Sequence, residues 1–168
     1  HFIALEGGVE GWLPYADLLS STPPQGAGEP QGTDEDTTVL MFTAGTTGFP
    51  KGVMLSHQSF TSYLLSNVPP ADPEVEERNL LSVPMYHIAG LQAMMAAVYG
   101  GRTLVVMRQF EPVEWMRLVQ EERVQRAMMV PTMLKRVLDQ PEFAHYDCSS
   151  LEVLAYGAAP MPLPVIRR

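Results

Sequence analysis

The chain has 168 residues, 46% hydrophobic and 18% charged, with a formal net charge of −8, which is the size and composition of one ordinary globular domain with room for a core. The acidic balance, with no Lys/Arg cluster beyond Arg167 and Arg168, excludes nucleic acid as a partner, because a phosphate backbone demands a basic face. Cys148 is the only cysteine, so no intrachain disulfide can form and a reducing cytoplasm is the simplest setting; no run of about 18 apolar residues is present to span a membrane.

Residues 1–18 read as a tail segment in which Trp12–Leu19 forms a short helix burying Trp12, Leu18 and Leu19. From Ser20 to Asp36, Pro23, Pro24, Gly26, Gly28, Pro30 and Gly32 interrupt any period and Asp34, Glu35 and Asp36 add charge, which predicts a solvated connector. Residues 1–36 are therefore expected to be an N-terminal segment with a Pro/Gly-rich linker, and residues 37–168 an α/β unit.

Within that unit, short apolar runs at Val39–Thr43, Leu80–Val83, Thr103–Met107, Ala127–Val130 and Glu152–Tyr156 have strand length and few charges, as expected of strands covered on both faces. Helical segments lie between them. Ser56 can cap a helix with Phe60, Tyr63 and Leu64 on one face, and Gly90–Tyr99 is apolar nearly all round and stops at Gly100 and Gly101. The next begins near Pro112, with Val113, Met116 and Val119 on one stripe, Trp115 and Leu118 beside it, and Glu114, Arg117 and Glu121 toward water. Another runs from Thr132 to about Asp139, burying Met133, Leu134, Val137 and Leu138 before Pro141 stops it. Cys148, with only His145 near it, reads as an inert, partly buried thiol. Met94, Met95, Met128 and Met129 read as core filling. Pro162 and Pro164 introduce the first turns of a last helix at the end of the chain.

Strand and helix alternating in this way imply an α/β fold with a three-layer, Rossmann-like parallel sheet and right-handed crossovers. Ligands of such sheets bind at the carboxyl ends of the strands, where the loops after Phe42, Val83 and Tyr156 would gather.

The first of these loops carries the strongest chemical signal. Residues Val39–Gly52 run from an apolar strand into glycines, hydroxyls and one lysine, which suits a polyphosphate: glycines let backbone N–H groups converge, threonines add donors and Lys51 adds charge. The loop is not a Walker A sequence, since Pro50 stands where the second glycine belongs and Gly52 where the hydroxyl belongs. Residues 43–52 instead resemble the phosphate loop Thr-Ser-Gly-Thr-Thr-Gly-x-Pro-Lys-Gly of the AMP-forming acyl and aryl ligases, among them the acyl-CoA synthetases, the luciferases and the adenylation domains of peptide synthetases. Ala44, in place of the serine, is the one departure, and it removes one hydroxyl.

The second loop, Val83–Gly90, matches that family's proline, aromatic and histidine segment through Pro84, Tyr86 and His87; the third, Tyr156–Pro162, matches its Gly-Gly/Ala-Ala-Pro turn through Gly157, Ala158, Ala159 and Pro160. The resemblance implies that Thr43, Ala44, Gly45, Thr46, Thr47, Gly48, Pro50 and Lys51 surround the β- and γ-phosphates of ATP, and that Thr46, Thr47 and Lys51 act in catalysis. It further implies that His87 lines or gates the carboxylate pocket and that Gly157, Ala158, Ala159 and Pro160 hold the adenine. No general-base duty falls to His87, because a carboxylate is already ionised at neutral pH.

Taken over the whole chain, the resemblance implies an internal fragment of the large N-terminal domain of an acyl-CoA synthetase. Its full-length form would activate a fatty, alicyclic or aromatic acid with ATP to acyl-AMP and pass it to CoA. The Mg²⁺-binding glutamate, the ribose-binding aspartate and the small C-terminal domain with its lysine are expected beyond residue 168, so the fragment alone is expected to be inactive and no metal ligand is assigned within it. Two other readings stay open: a carrier-protein-loading adenylation domain, and a non-catalytic nucleotide-binding module. The oligomeric state leaves no mark on the sequence.

Overall fold

The computed structural model describes residues 3–4, 10–11, 13–20, 32–44 and 48–167, and the chain divides into two units at Thr33 and Asp34. In the first, β1 (Ile3–Ala4) pairs in parallel with β2 (Leu13–Pro14), and α1 (Tyr15–Ser20) follows at once. The Ser20 hydroxyl donates to the Asp17 carbonyl and closes the last turn. The helix starts at Tyr15, later than the sequence predicts, and its leucines are not buried. Leu18 and Leu19 are 39% and 69% exposed. Trp12 and residues 21–31 of the expected connector lie outside the described residues.

Val39–Thr43 was expected to join the parallel sheet, covered on both faces. Instead β3 (Thr37–Thr43) pairs antiparallel with β4 (Lys51–Ser56), with Leu40 opposite Met54 and Thr43 opposite Lys51. Leu40 and Phe42 are therefore exposed. Gly52 stands across from Phe42, and a Cβ there would come within 3.3 Å of Leu40 Cδ1. The bare backbone lets the larger side chains lean across.

Helix α2 (His57–Asn67) starts where the sequence places a cap: the Ser56 hydroxyl accepts the Ser59 N–H at 3.2 Å. Phe60 and Leu64 are buried, while Tyr63, expected beside them, is exposed. The chain continues through β5 (Arg78–Leu81), α3 (Ile88–Tyr99), β6 (Thr103–Val106), α4 (Pro112–Glu121), β7 (Arg126–Met129), α5 (Pro131–Leu138), a short 3-10 turn at Phe143–His145, β8 (Val153–Tyr156) and α6 (Leu163–Ile166). Strands β6, β5, β7 and β8 lie in that order in one parallel sheet.

The core forms where α4 and α5 cover one face of this sheet. The Glu111 carboxylate caps α4 by accepting the Glu114 N–H at 2.7 Å, and Pro112 supplies the first turn. Trp115, Met116 and Val119 then fall on one stripe and bury completely against Leu80, Ala127, Met129 and Val137. Burying a side chain of this kind stabilises by about 1.5–3 kcal/mol. On the opposite stripe Arg117 pairs with Glu114 at 2.6 Å and also with Glu121. Of the four methionines assigned to the core only Met129 is fully buried; Met94, Met95 and Met128 are half-buried.

Alternation along the strands puts Asn79, Arg126, Met128, Val153 and Ala155 on the other face, which α3 covers. Strand β5 thus sends its chain to one face and its neighbour β7 sends its chain to the other. Their carboxyl ends form a topological switch point, where an open parallel sheet offers a ligand crevice. Among the described residues no helix is long and apolar enough to cross a membrane.

Candidate nucleotide and acid site

The polyphosphate-like loop is the tip of the β3–β4 hairpin. Thr43 ends one strand, Lys51 opens the other, and the Thr43 hydroxyl points to the Lys51 carbonyl at 3.5 Å. Gly48 has φ of +86°, and nothing lies within 4 Å of where its Cβ would be. This turn is built from a left-handed residue in open space, the geometry that frees backbone N–H groups for a ligand. Ala44, Gly48, Phe49, Pro50 and Lys51 are exposed, whereas Gly45, Thr46 and Thr47 lie outside the described residues. No helix begins at this loop, because β4 intervenes before α2.

The second loop leaves β5 at the sheet's carboxyl edge. The β5–β7 ladder ends at Leu80 and Ala127, and just beyond it the buried Ser82 hydroxyl donates to the Met128 carbonyl at 3.1 Å. One hydroxyl pins two diverging strands at the switch point. Past Pro84 the His87 N–H donates to the Pro84 carbonyl at 3.1 Å, and His87 Nδ1 accepts the Ala89 N–H at 3.2 Å as the cap of α3. With Nδ1 so occupied, the proton of the neutral ring sits on Nε2. His87 is exposed, and Tyr86 beside it is 86% exposed. Behind the loop a cavity of about 700 Å³ is walled by Val83–Tyr86 on one side and Arg108–Phe110 on the other.

The third loop leaves β8 at the same edge. Ala158 has φ of +66°, in the left-handed region, and with Ala159 and Pro160 it is exposed, while Gly157 is half-buried. An alanine held there costs about 1–2 kcal/mol relative to glycine. Ala158→Gly is therefore expected to raise stability by about 0.5–1 kcal/mol after the added freedom of the unfolded chain is subtracted. A denaturation midpoint that falls on this substitution would show the left-handed turn to be wrong.

The sequence reading missed the amino edge of the sheet entirely. Glu77, just before β5, accepts Arg102 Nε at 2.6 Å and Arg126 Nε at 2.7 Å through the same Oε2. The hydrogen bond from Arg126 is the largest influence on Glu77 and holds its carboxyl below the ordinary range; burial opposes it and Arg102 adds to it. Arg126, by the same bond, is held more firmly protonated than usual. The only signal in the sequence is a charge just outside, or at the first position of, three short strands.

Two of the three expected loops thus share one edge of one parallel sheet, since β5 and β8 run in the same direction. Among the described residues no hydrogen bond joins the hairpin tip to either of them. Nor do the described residues include a group of three or more His, Cys, Asp or Glu side chains placed to hold a metal ion.

Comparison with known proteins places this geometry. The chain is 34% identical over 163 residues to the long-chain-fatty-acid–CoA ligase FadD13 of Mycobacterium tuberculosis, covering 96% of this chain and 32% of that protein. It is 34% identical over 153 residues to a feruloyl-CoA synthase of Amycolatopsis, covering 90% of this chain and 30% of that protein. The chain therefore spans about a third of the length of the curated relatives it matches. Among solved structures, the inhibitor-bound N-terminal domain of FACL13 from Mycobacterium tuberculosis superimposes with a TM-score of 0.78 at 36% identity, covering 90% of this chain and 38% of that one. The luciferase-like enzyme of the mealworm Zophobas morio does so with a TM-score of 0.81 at 25% identity, covering 98% and 38%. The model of the AMP-binding enzymes matches residues 7–168, and the chain belongs to that family.

Proposed function

We propose that this chain is part of an ATP-dependent, AMP-forming acid–CoA ligase. The observation that carries the reading is the pair of loops bearing His87 and Gly157–Pro160 on one carboxyl edge of a parallel sheet, in a chain whose relatives are named as CoA ligases of fatty and aryl acids. A carboxylate oxygen attacks the α-phosphorus of ATP, the bond from that phosphorus to the β-bridging oxygen breaks, and pyrophosphate leaves. The sulfur of CoA then attacks the acyl carbonyl and AMP departs.

In this scheme Thr43, Gly45, Thr46, Thr47, Gly48 and Lys51 hold the departing phosphates, whose charge grows as the bond breaks, and fixed donors aimed there lower the barrier. Ala44 contributes only its backbone. Gly157, Ala158, Ala159 and Pro160 hold the purine, with exposed small residues giving a flat base room to lie. His87 faces the acid with a donor, its Nδ1 being spent on the helix cap. Mg²⁺ would neutralise phosphate charge, but the described residues supply no carboxylate cluster for it. No step here depends on it.

The test is ATP–pyrophosphate exchange in the full-length protein across fatty, alicyclic, aromatic and amino acids. Lys51→Ala is expected to lower exchange about a hundredfold or more while leaving the unfolding midpoint in place, because Lys51 is exposed. Exchange driven by an amino acid would move the reading to a carrier-loading enzyme. Tight ATP binding without exchange under any acid would leave only a nucleotide-binding module.

A further inference from the structure

A second cavity, of about 360 Å³, lies between α3 and the face of the sheet opposite the α4–α5 core. Its mouth is formed by Ala89, Met128 and Ala155, close in sequence to His87 and Gly157. Two residues down the strands, about 7 Å away, the floor carries Asn79 and Arg126, and Gln92 looks in from the next turn of α3. The slot is open because α3 presents Ala89, Ala93 and Ala96 to it. Small side chains along one helix stripe leave room for a ligand chain.

The floor is not what an apolar tail needs. Arg126 gives its Nε to Glu77, and its terminal nitrogens have no hydrogen-bond partner among the described residues, with the side chain 30% exposed. Glu77 serves two arginines, Arg102 and Arg126, so the trio carries one excess positive charge; Glu152, exposed and not among the residues lining the cavity, is the other carboxylate that acts on Arg126. A hydrocarbon end at this depth would desolvate a guanidinium and give nothing back. A carboxylate would accept charge-assisted, paired hydrogen bonds from it.

We propose, on the acid-activating reading above, that this cavity takes the chain of the substrate and that Arg126, with Gln92 and Asn79, selects acids bearing a second, distal carboxylate. Hexanedioate, whose carboxyl carbons lie about 6 Å apart when extended, fits the depth from mouth to floor.

The experiment pairs hexanedioate with hexanoate, which differ only in the distal group. In pyrophosphate exchange the full-length protein is expected to prefer hexanedioate by about tenfold or more in kcat/KM. Arg126→Met should reverse the preference and Gln92→Leu should weaken it. The ratio within one variant is independent of how much of it folds, so a merely structural role for Arg126 would leave the ratio unchanged. Titration into the ¹⁵N-labelled full-length protein with ATP absent reads the cavity without turnover: amide shifts at Gln92 and Arg126 with hexanedioate, absent with hexanoate, are expected. Exchange with other acids but equal response to the two six-carbon acids overturns the selectivity and spares the ligase reading. Selective shifts without exchange under any acid remove the ligase reading and keep the dicarboxylate site; no selective shifts and an unchanged ratio in Arg126→Met remove the site.

Discussion

Replacing Gly90 by alanine is expected to destabilise the chain by about 3 kcal/mol or more and to displace the loop that carries His87. A Cβ at position 90 would lie 2.1 Å from the Pro84 carbonyl oxygen, 2.6 Å from its carbon and 3.0 Å from Met85 Cα. All three are backbone atoms, so no side-chain rotation can relieve the overlap. Either α3 or the loop must move. The loop is the weaker partner: it is held by the His87 N–H to Pro84 and by the imidazole cap on Ala89, each worth about 1 kcal/mol. Gly157 offers the contrast within the same site, because its added Cβ meets only Met128 Cε at 3.6 Å. Gly157→Ala should therefore cost under about 1 kcal/mol in the folded chain, and any loss of adenine binding would come from the methyl group standing in the ligand's space. Urea unfolding of the two variants separates them. Equal midpoints would mean that the close approach of α3 to Pro84 is not real.

That approach is the kind of fact a sequence does not display. The helices were legible because their burial is periodic: Met116 and Val119 on the expected stripe of α4 are buried, with Trp115 beside them, and Pro112 marks its start. The parallel sheet followed from strand and helix alternating, and β5, β6, β7 and β8 fall within the apolar runs, apart from Arg78 and Asn79 at the entry of β5 and Arg126 at the entry of β7. Strand β3 misled for a physical reason. An apolar run states that a strand is buried or half-buried, but not which strand it pairs with, and Lys51–Ser56, running straight from the loop into α2, did not stand out as the partner. The candidate loops were readable as chemistry, since glycines, hydroxyls and a lysine in order constrain what they can hold. Ala158 in the left-handed region and Gly90 against Pro84 were not, because both depend on where the backbone goes. The charged node at the strands' amino ends was hidden for another reason: Glu77, Arg102 and Arg126 are far apart in sequence and meet only once three strands align.

Glu77→Gln is expected to remove about 2 kcal/mol of stability at pH 7, less than the full cost of breaking a deeply buried pair because the node is partly open to water. The Glu77 side chain is 17% exposed, Arg102 10% and Arg126 30%. Glutamine can still accept through one oxygen, but the charge that balances two guanidinium groups is gone. The sign of the pH dependence follows from the direction of the shift. The folded-state value of Glu77 lies below the unfolded one, pulled down first by the hydrogen bond from Arg126. Its contribution is therefore complete above the unfolded value, near pH 4.5, and is lost as pH falls through the folded value. Wild-type and Glu77→Gln chains should accordingly differ at pH 7 and converge in acid. Chemical denaturation between pH 7 and the lowest pH at which both remain folded measures the gap. A gap that stayed constant across the acid range would assign the loss to packing rather than to charge. A gap of zero at pH 7 would mean that the node ties β5, β6 and β7 together in geometry only. In either case Arg126 would no longer be held in place by Glu77, and the floor of the cavity under α3 would lose the fixed guanidinium on which its preference for a second carboxylate depends.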